Sequence, residues 1–189
     1  MKQSLGAKTL TSPTPVWIIG TYDKEGKPNL MTAAWVGICC SKPPCVGVSL
    51  RKATYTYGNI VGRKAFTVNV PREVDVKESD HIGTVSGKNV DKFSMSKLTA
   101  VRSSIVDAPY VQEFPLVVEC RVIHTIEIGL HTEFVGEIMD VKADSSVLND
   151  RGLPDVAKIK PFLFDPANGA YYSVGACLGQ AFSTDKSMR

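Results

Sequence analysis

The stretch SLRKATYTYGN, Ser49 to Asn59, gathers the residue types that hold an anion. Arg51 and Lys52 bring cations, while Thr54 and Thr56 bring hydroxyls. All four sit at a strand-to-helix corner, where unpaired backbone N–H groups add donors. Tyr55 and Tyr57 are interleaved with them; a solvated corner of the same composition is the plain alternative. In PNLMTAAWVGICC, Pro28 to Cys40, Trp35 follows Thr32, Ala33 and Ala34. Small side chains let a backbone approach a flat ligand and an indole can wall it, although the same indole could pack in a core. Lys92 in NVDKFS precedes a phenylalanine and by itself means no more than a surface lysine.

Other chemistries find little support. GTVSGKN, Gly83 to Asn89, falls one residue short of a phosphate-loop spacing and has Asn89 where a magnesium-binding hydroxyl belongs. No G-x-G-x-x-G follows a strand, and no H-E-x-x-H occurs. Of the three histidines, His81 is expected in solvent and His124 on an apolar strand face. His131 follows the Gly129-Leu130 turn, where its ring can face a ligand, with Glu133 on the same side of the strand. These two are too few for a metal site. Cys39, Cys40, Cys45, Cys120 and Cys177 contain no C-x-x-C pair, so free and mostly buried thiols are expected.

The elements that must position these residues read as mostly β with short helices. Two strands around the Asp23–Pro28 turn, the second running on to Cys40, form a hairpin. CVGVSLR and AFTVNVP add strands on either side of a short helix, and a polar stretch from Arg72 to about Gly87 reads as one or two helices. LVVECRVIHTIEIGLHTEFVGEIMDVKAD gives two long strands. Period-two alternation puts Val118, Cys120, Val122, His124, Ile126 and Ile128 on a core face, and Glu119, Arg121, Thr125 and Glu127 on a wet one. Six hairpin-connected strands favour an antiparallel barrel, since closure removes exposed edges. The tail, with Phe162 to Phe164 and two tyrosines, is expected to pack across the barrel or a neighbouring subunit.

A chain of 189 residues without a compositional break predicts one domain over 1–189. Twenty-two basic and nineteen acidic residues leave a formal charge of +3, too weak and scattered to imply a nucleic-acid partner. The apolar run from Leu30 to Cys40 is too short to span a bilayer, and MKQSLGAKTLTSPTP lacks a signal peptide's apolar run. A cytoplasmic protein is expected.

Taken in order, DKEGKPNLMTAAW, SLRKATYTYGNI, FTVNVP, SGKNVDKF, GLHTEFVGEI and the aromatic tail resemble the flavin reductase-like FMN-binding split-barrel family over nearly the whole chain. The resemblance implies a six-stranded barrel, a homodimer and one FMN per subunit. It places the Thr32, Ala33, Ala34 and Trp35 segment along the isoalloxazine. Arg51, Thr54, Tyr55 and Thr56 fall around the ribityl phosphate, and Asn69, Lys92, His131 and Phe164 near the flavin. Ala53 departs from the more polar version of this corner. The chemistry agrees: a phosphate calls for cations and hydroxyls, and a flat ring for small residues beside an aromatic wall. No protein acid or base is then obligatory, because a flavin itself accepts hydride or single electrons. The implied function is electron transfer between a redox protein or NAD(P)H and an acceptor, with flavin or ferric reductase activity. A non-enzymatic flavin-binding or sensing module is the alternative.

Overall fold

The computed structural model describes residues 1–179 and 181. The polar end of the expected tail, and that part of the expected single domain, lie outside the described residues.

Strands β2 (Trp17–Tyr22) and β3 (Pro28–Ala33) pair as a hairpin. Its turn closes because the Asp23 carboxylate accepts from the amides of Glu25 (3.0 Å) and Lys27 (2.8 Å), while Gly26 adopts φ +84°. The second strand does not continue to Cys40. It breaks at Ala34 and Trp35, and β4 (Val36–Ser41) starts again as a partner of β5 (Pro44–Arg51). With β6 (Ala65–Val70), β9 (Leu116–Ile128) and β10 (His131–Ala143) the sheet order is β3-β2-β6-β9-β10-β5-β4. Every pair is antiparallel. The sheet therefore has seven strands where six were expected, because one apolar run supplies two of them. Its two edge strands, β3 and β4, are separated by two residues, a reach of at most ~11 Å between the flanking Cα atoms. A sheet with its opposite edges so tethered must curl on itself.

Helix α1 (Tyr55–Arg63) begins where the Thr54 side chain accepts from the Tyr57 amide, and ends with Lys64 in the left-handed region. Helix α2 (Val76–Thr84) lies over β3, with the Thr32 hydroxyl donating to the Ser79 carbonyl. Helix α3 (Lys92–Ser96) is capped by Asp91. Two smaller sheets and a short helix stand apart from the seven-stranded sheet. Strand β1 (Thr14–Pro15) joins β11 (Phe162–Asp165) and β12 (Ala170–Ser173) in a three-stranded sheet; β7 (Ala100–Arg102) pairs with β8 (Pro109–Val111); α4 (Val156–Ile159) is a single turn.

The barrel interior holds Ile19, Val46, Val48, Leu50, Ile60, Phe66, Val68, Cys120 and Phe134. Gly136 belongs to this packing, since a side chain there would run into the Phe66 ring. A second cluster, Ile18, Leu30, Ile82, Phe93, Val111 and Phe114, binds the helices to the outside of β2 and β3.

The alternation expected for β9 fails at both ends. Near its start Glu119, expected in solvent, is fully buried against Lys142. From Ile123 to Leu130 every residue is exposed, His124, Ile126 and Ile128 included. Periodicity fixes which residues share a face but not what covers that face, and here the end of β9 runs on past β6, paired with β10 alone. The thiols also differ from expectation: all five are free, but only Cys45 and Cys120 are buried. His81 is exposed, as expected. Among the described residues no helix is long and apolar enough to cross a membrane.

Candidate functional site

Strand register builds the floor of the site. His131 of β10 stands opposite Arg51 of β5 on one side and Ile128 of β9 on the other; two residues along, Glu133 stands between Ser49 and Ile126. Register partners share a face of the sheet. The intervening Leu50, Thr132 and Phe134 fill the barrel and are buried. His131, Arg51, Ser49 and Glu133 therefore point outward as two cross-strand rows. The Ser49 hydroxyl donates to Glu133, and the Ser49 amide donates to the Trp35 carbonyl at 2.9 Å. That last bond fixes the Ala34–Trp35 corner against the rows.

A cavity of about 340 Å³ opens above them. Thr32, Ala33, Ala34 and Trp35 line it from the β3–β4 corner, Arg51 and Thr54 from the end of β5, and His131 from β10. Asp80, Gly83 and Thr84 of α2 close another side, and Phe164 and Tyr171 of the small sheet lean over it, their rings 5.5 Å apart. The Tyr171 hydroxyl donates to Asp80 at 2.9 Å, and burial, then Asp80, pushes its pKa up to about 12. Tyr171 thus stays a neutral donor at physiological pH. Trp35 is 45% exposed and is not a core residue.

The lining hydroxyls are mostly committed elsewhere. Thr32 donates to Ser79, Thr84 to the His81 carbonyl at 2.9 Å, and Thr54 to the Arg51 carbonyl at 2.9 Å. Arg51 forms no ion pair among the described residues. It stands beside the start of α1, where the Thr54 cap takes the Tyr57 amide while those of Tyr55 and Thr56 lack helical partners and carry the positive end of the helix dipole. A cation and free N–H groups at one corner, with aromatic rings and a close backbone nearby, suit a flat ligand bearing an anionic group.

Eight of the twelve residues expected at the site meet in this cavity: Thr32, Ala33, Ala34, Trp35, Arg51, Thr54, His131 and Phe164. Four do not line it. Tyr55 donates its hydroxyl to Asp23 at 2.8 Å and faces a separate hollow with Asn59 and Arg63; that hydrogen bond raises its pKa. Thr56 is buried, accepting from Asn29 Nδ2 at 3.0 Å. Asn69 is fully buried, donating to the carbonyl of Ile18 and the hydroxyl of Thr67 (both 2.9 Å) and accepting from the Val111 amide (2.8 Å). Lys92 is buried too, its Nζ donating to the Ile82 carbonyl at 2.7 Å, and burial lowers its pKa to about 8. That bond braces the wall from behind, at the residue before Gly83.

Sequence reasoning passed over Ser49, Asp80, Gly83, Thr84 and Tyr171. Ser49 opens the anion-holding stretch and Tyr171 belongs to the aromatic tail, but neither was singled out. Among the described residues no group of His, Cys, Asp or Glu is placed to hold a metal ion.

The family model for the flavin reductase like domain matches residues 9–168. The structure of flavoredoxin from Desulfovibrio vulgaris (Miyazaki F) is 54% identical, covers 97% of this chain and 99% of its own, and superposes with a TM-score of 0.93. Flavoredoxin from Methanosarcina acetivorans is 34% identical over 100% of this chain and 98% of its own, with a TM-score of 0.90. A split-barrel protein from Shewanella frigidimarina, 22% identical over 97% and 100% of the two chains, matches in fold alone with a TM-score of 0.84. A curled antiparallel sheet whose tethered edges frame an aromatic, cationic cavity, matched over most of its length, belongs to the flavin reductase-like family, and its role is a flavin-related redox one.

Proposed function

We propose that the cofactor is FMN and that the protein is an electron carrier of the flavoredoxin kind. The observation that carries this reading is the juxtaposition of Arg51, His131 and Trp35 around one cavity, with the guanidinium free of any ion pair among the described residues. Arg51 and the first amides of α1 would hold the phosphate. Ala33 and Ala34 would let the backbone approach the ring system, with Trp35, Phe164 and Tyr171 as aromatic walls. When bound, the flavin supplies the chemistry by accepting and releasing a hydride or single electrons. The chain contributes placement, a polar edge and exclusion of water.

Electrons would come from a redox protein or NAD(P)H and pass to a further acceptor in the cytoplasm, with flavin or ferric reductase activity as a side capacity. Purified protein should carry a yellow flavin spectrum, with FMN released on denaturation. In an anaerobic cuvette, bleaching by NADPH alone identifies a reductase, and bleaching only through a reduced redox protein identifies a carrier. Protein that remains colourless through an FMN titration overturns both.

A homodimer belongs to the same proposal. The two rows that form the cavity floor continue outward into Ile126 and Ile128, 49% and 56% exposed, and the adjoining Leu130 is 65% exposed. A second copy laid on this apolar extension would cover both it and the open side of the cavity. Light scattering should return twice the chain mass, and Ile126→Asp with Ile128→Asp should return a single chain. A monomeric parent with its flavin fully bound refutes the arrangement.

A further inference from the structure

Outside the cavity, the outer face of the barrel carries one more row with reactive groups. Register places Arg121, Glu137, Cys45 and Cys40 side by side across β9, β10, β5 and β4. Arg121 and Glu137 form an ion pair at 2.8 Å. Cys40 is exposed on the edge strand, while Cys45 is buried one strand further in. Register partners in an antiparallel pair have Cα atoms about 4.5 or 5.5 Å apart, and both spacings lie inside the roughly 4.4–6.8 Å that a disulfide spans. Cys45 Sγ donates to the Pro43 carbonyl at 3.4 Å, so its thiol is held at the Cys40 end of the hairpin. Neighbouring Cys39 falls where the register shifts between Ile38 and Cys40, and it has no register partner on β5.

The two sulfurs differ in what they offer. Cys40 meets solvent and can be reached by a small reagent. Burial and the nearby cysteine and Glu137 groups push the Cys45 thiol up, so it stays protonated until a bond to its neighbour is within reach. A bridge across this hairpin would close a loop of only a few residues. It would constrain the unfolded chain far less than a link between distant elements. Such a bond suits exchange better than reinforcement.

We propose that the β4–β5 hairpin carries a thiol–disulfide exchange site in which Cys40 attacks, Cys45 resolves, and a low-molecular-weight disulfide is the oxidant. The Cys40 thiolate forms a bond to one sulfur of that disulfide; the S–S bond breaks, and the other half leaves as a thiolate that takes up a proton. Cys45 then gives up its proton and attacks the Cys40 sulfur, and the second half leaves and is protonated in turn. Two protein thiols are oxidised to one disulfide, and one small disulfide is reduced to two thiols. None of the cysteines lines the cavity, so the site stands whether or not the flavin reading holds.

The test incubates the full-length reduced protein with glutathione disulfide, blocks the remaining thiols by alkylation and maps the cysteines by mass spectrometry. The parent should yield a single peptide holding Cys40 and Cys45 joined, unalkylated until dithiothreitol is added. Cys45→Ser should instead accumulate one glutathione on Cys40. Cys40→Ser, a surface change, should leave Cys45 as a free thiol, and Cys39→Ser should behave as the parent does. Parent thiols untouched by glutathione disulfide, a bridge through Cys39 or between two chains, or oxidation of Cys45 undiminished in Cys40→Ser would each overturn the proposal. Far-ultraviolet circular dichroism checks the fold of each variant. If Cys45→Ser fails to fold, the parent and Cys40→Ser decide the matter alone.

Discussion

Asn69 and Thr67, packed behind the cavity, and Arg51 at its wall differ in what their donors are doing. Behind the wall, Asn69 makes three hydrogen bonds, joining β6 to β2 and β8, and Thr67 donates to the Pro109 carbonyl at 2.6 Å. At the wall, Arg51 is exposed and forms no ion pair among the described residues. A buried donor or acceptor must find its partner inside the protein, whereas a group at a cavity can keep its capacity for a ligand. Bonding state therefore separates Arg51 from the scaffold behind it, whereas the lining hydroxyls of Thr32, Thr54 and Thr84 are already committed.

Mutating one member of each set sharpens that contrast. Asn69→Ala removes the bonds to the Ile18 carbonyl and the Val111 amide and opens a void, so it should cost about 3 kcal/mol of stability or more. A urea titration measures this, and FMN affinity of the remaining folded fraction should not change. Arg51→Ala should do the reverse: stability nearly unaltered, with FMN held about 2 kcal/mol more weakly, a factor of roughly 30. If Asn69→Ala chiefly lost flavin, or Arg51→Ala chiefly unfolded, the division would be wrong. Trp35→Ala is the intermediate case. With 45% of the residue exposed, its removal should spare the fold but shift the flavin absorption bands and weaken binding by about 1 kcal/mol. A large fall in melting temperature would return Trp35 to the core.

How much of this was legible in the sequence follows from the same contrast. The hairpin at Asp23, the helix after Thr54 and the two long strands were readable because local chemistry dictates them: an Asx turn, a hydroxyl cap, a run of β-branched residues. The break at Ala34 and Trp35 was not, since no glycine or proline marks it and the apolar composition is the same on either side. That break is nevertheless what brings the sheet edges together and creates the cavity. Residues at the corner and on facing register positions, such as Trp35, Arg51 and His131, were found through the order of motifs. Thr56 and Lys92 carried the right chemistry, but their exposure depends on Asn29 and the end of α2, which reach them only through the fold. Asp80, Gly83 and Thr84 come from a helix whose sequence is merely polar, and nothing local says which strand it crosses.

Lys92 gives the smallest effect and the cleanest test of which side of the wall it occupies. At pH 7 Lys92→Met trades a buried cation and its bond to the Ile82 carbonyl for an apolar chain of similar length. The two changes oppose each other, and stability should move by less than about 1 kcal/mol. The pH dependence should differ more visibly. Burial holds the folded-state pKa at about 8 against 10.5 for an ordinary lysine, so between these values the unfolded chain binds more protons than the folded one. Stability of the parent should accordingly rise as pH increases from 8 toward 10.5, and the Met variant should lack that component. Urea titrations of both proteins across this range isolate it, because every other titrating group cancels in the difference. A bound phosphate would instead hold the ammonium charged and keep its pKa high. Parallel stability curves in the flavin-free proteins would show that Lys92 lies open to the solvent side, and the wall would have to be redrawn.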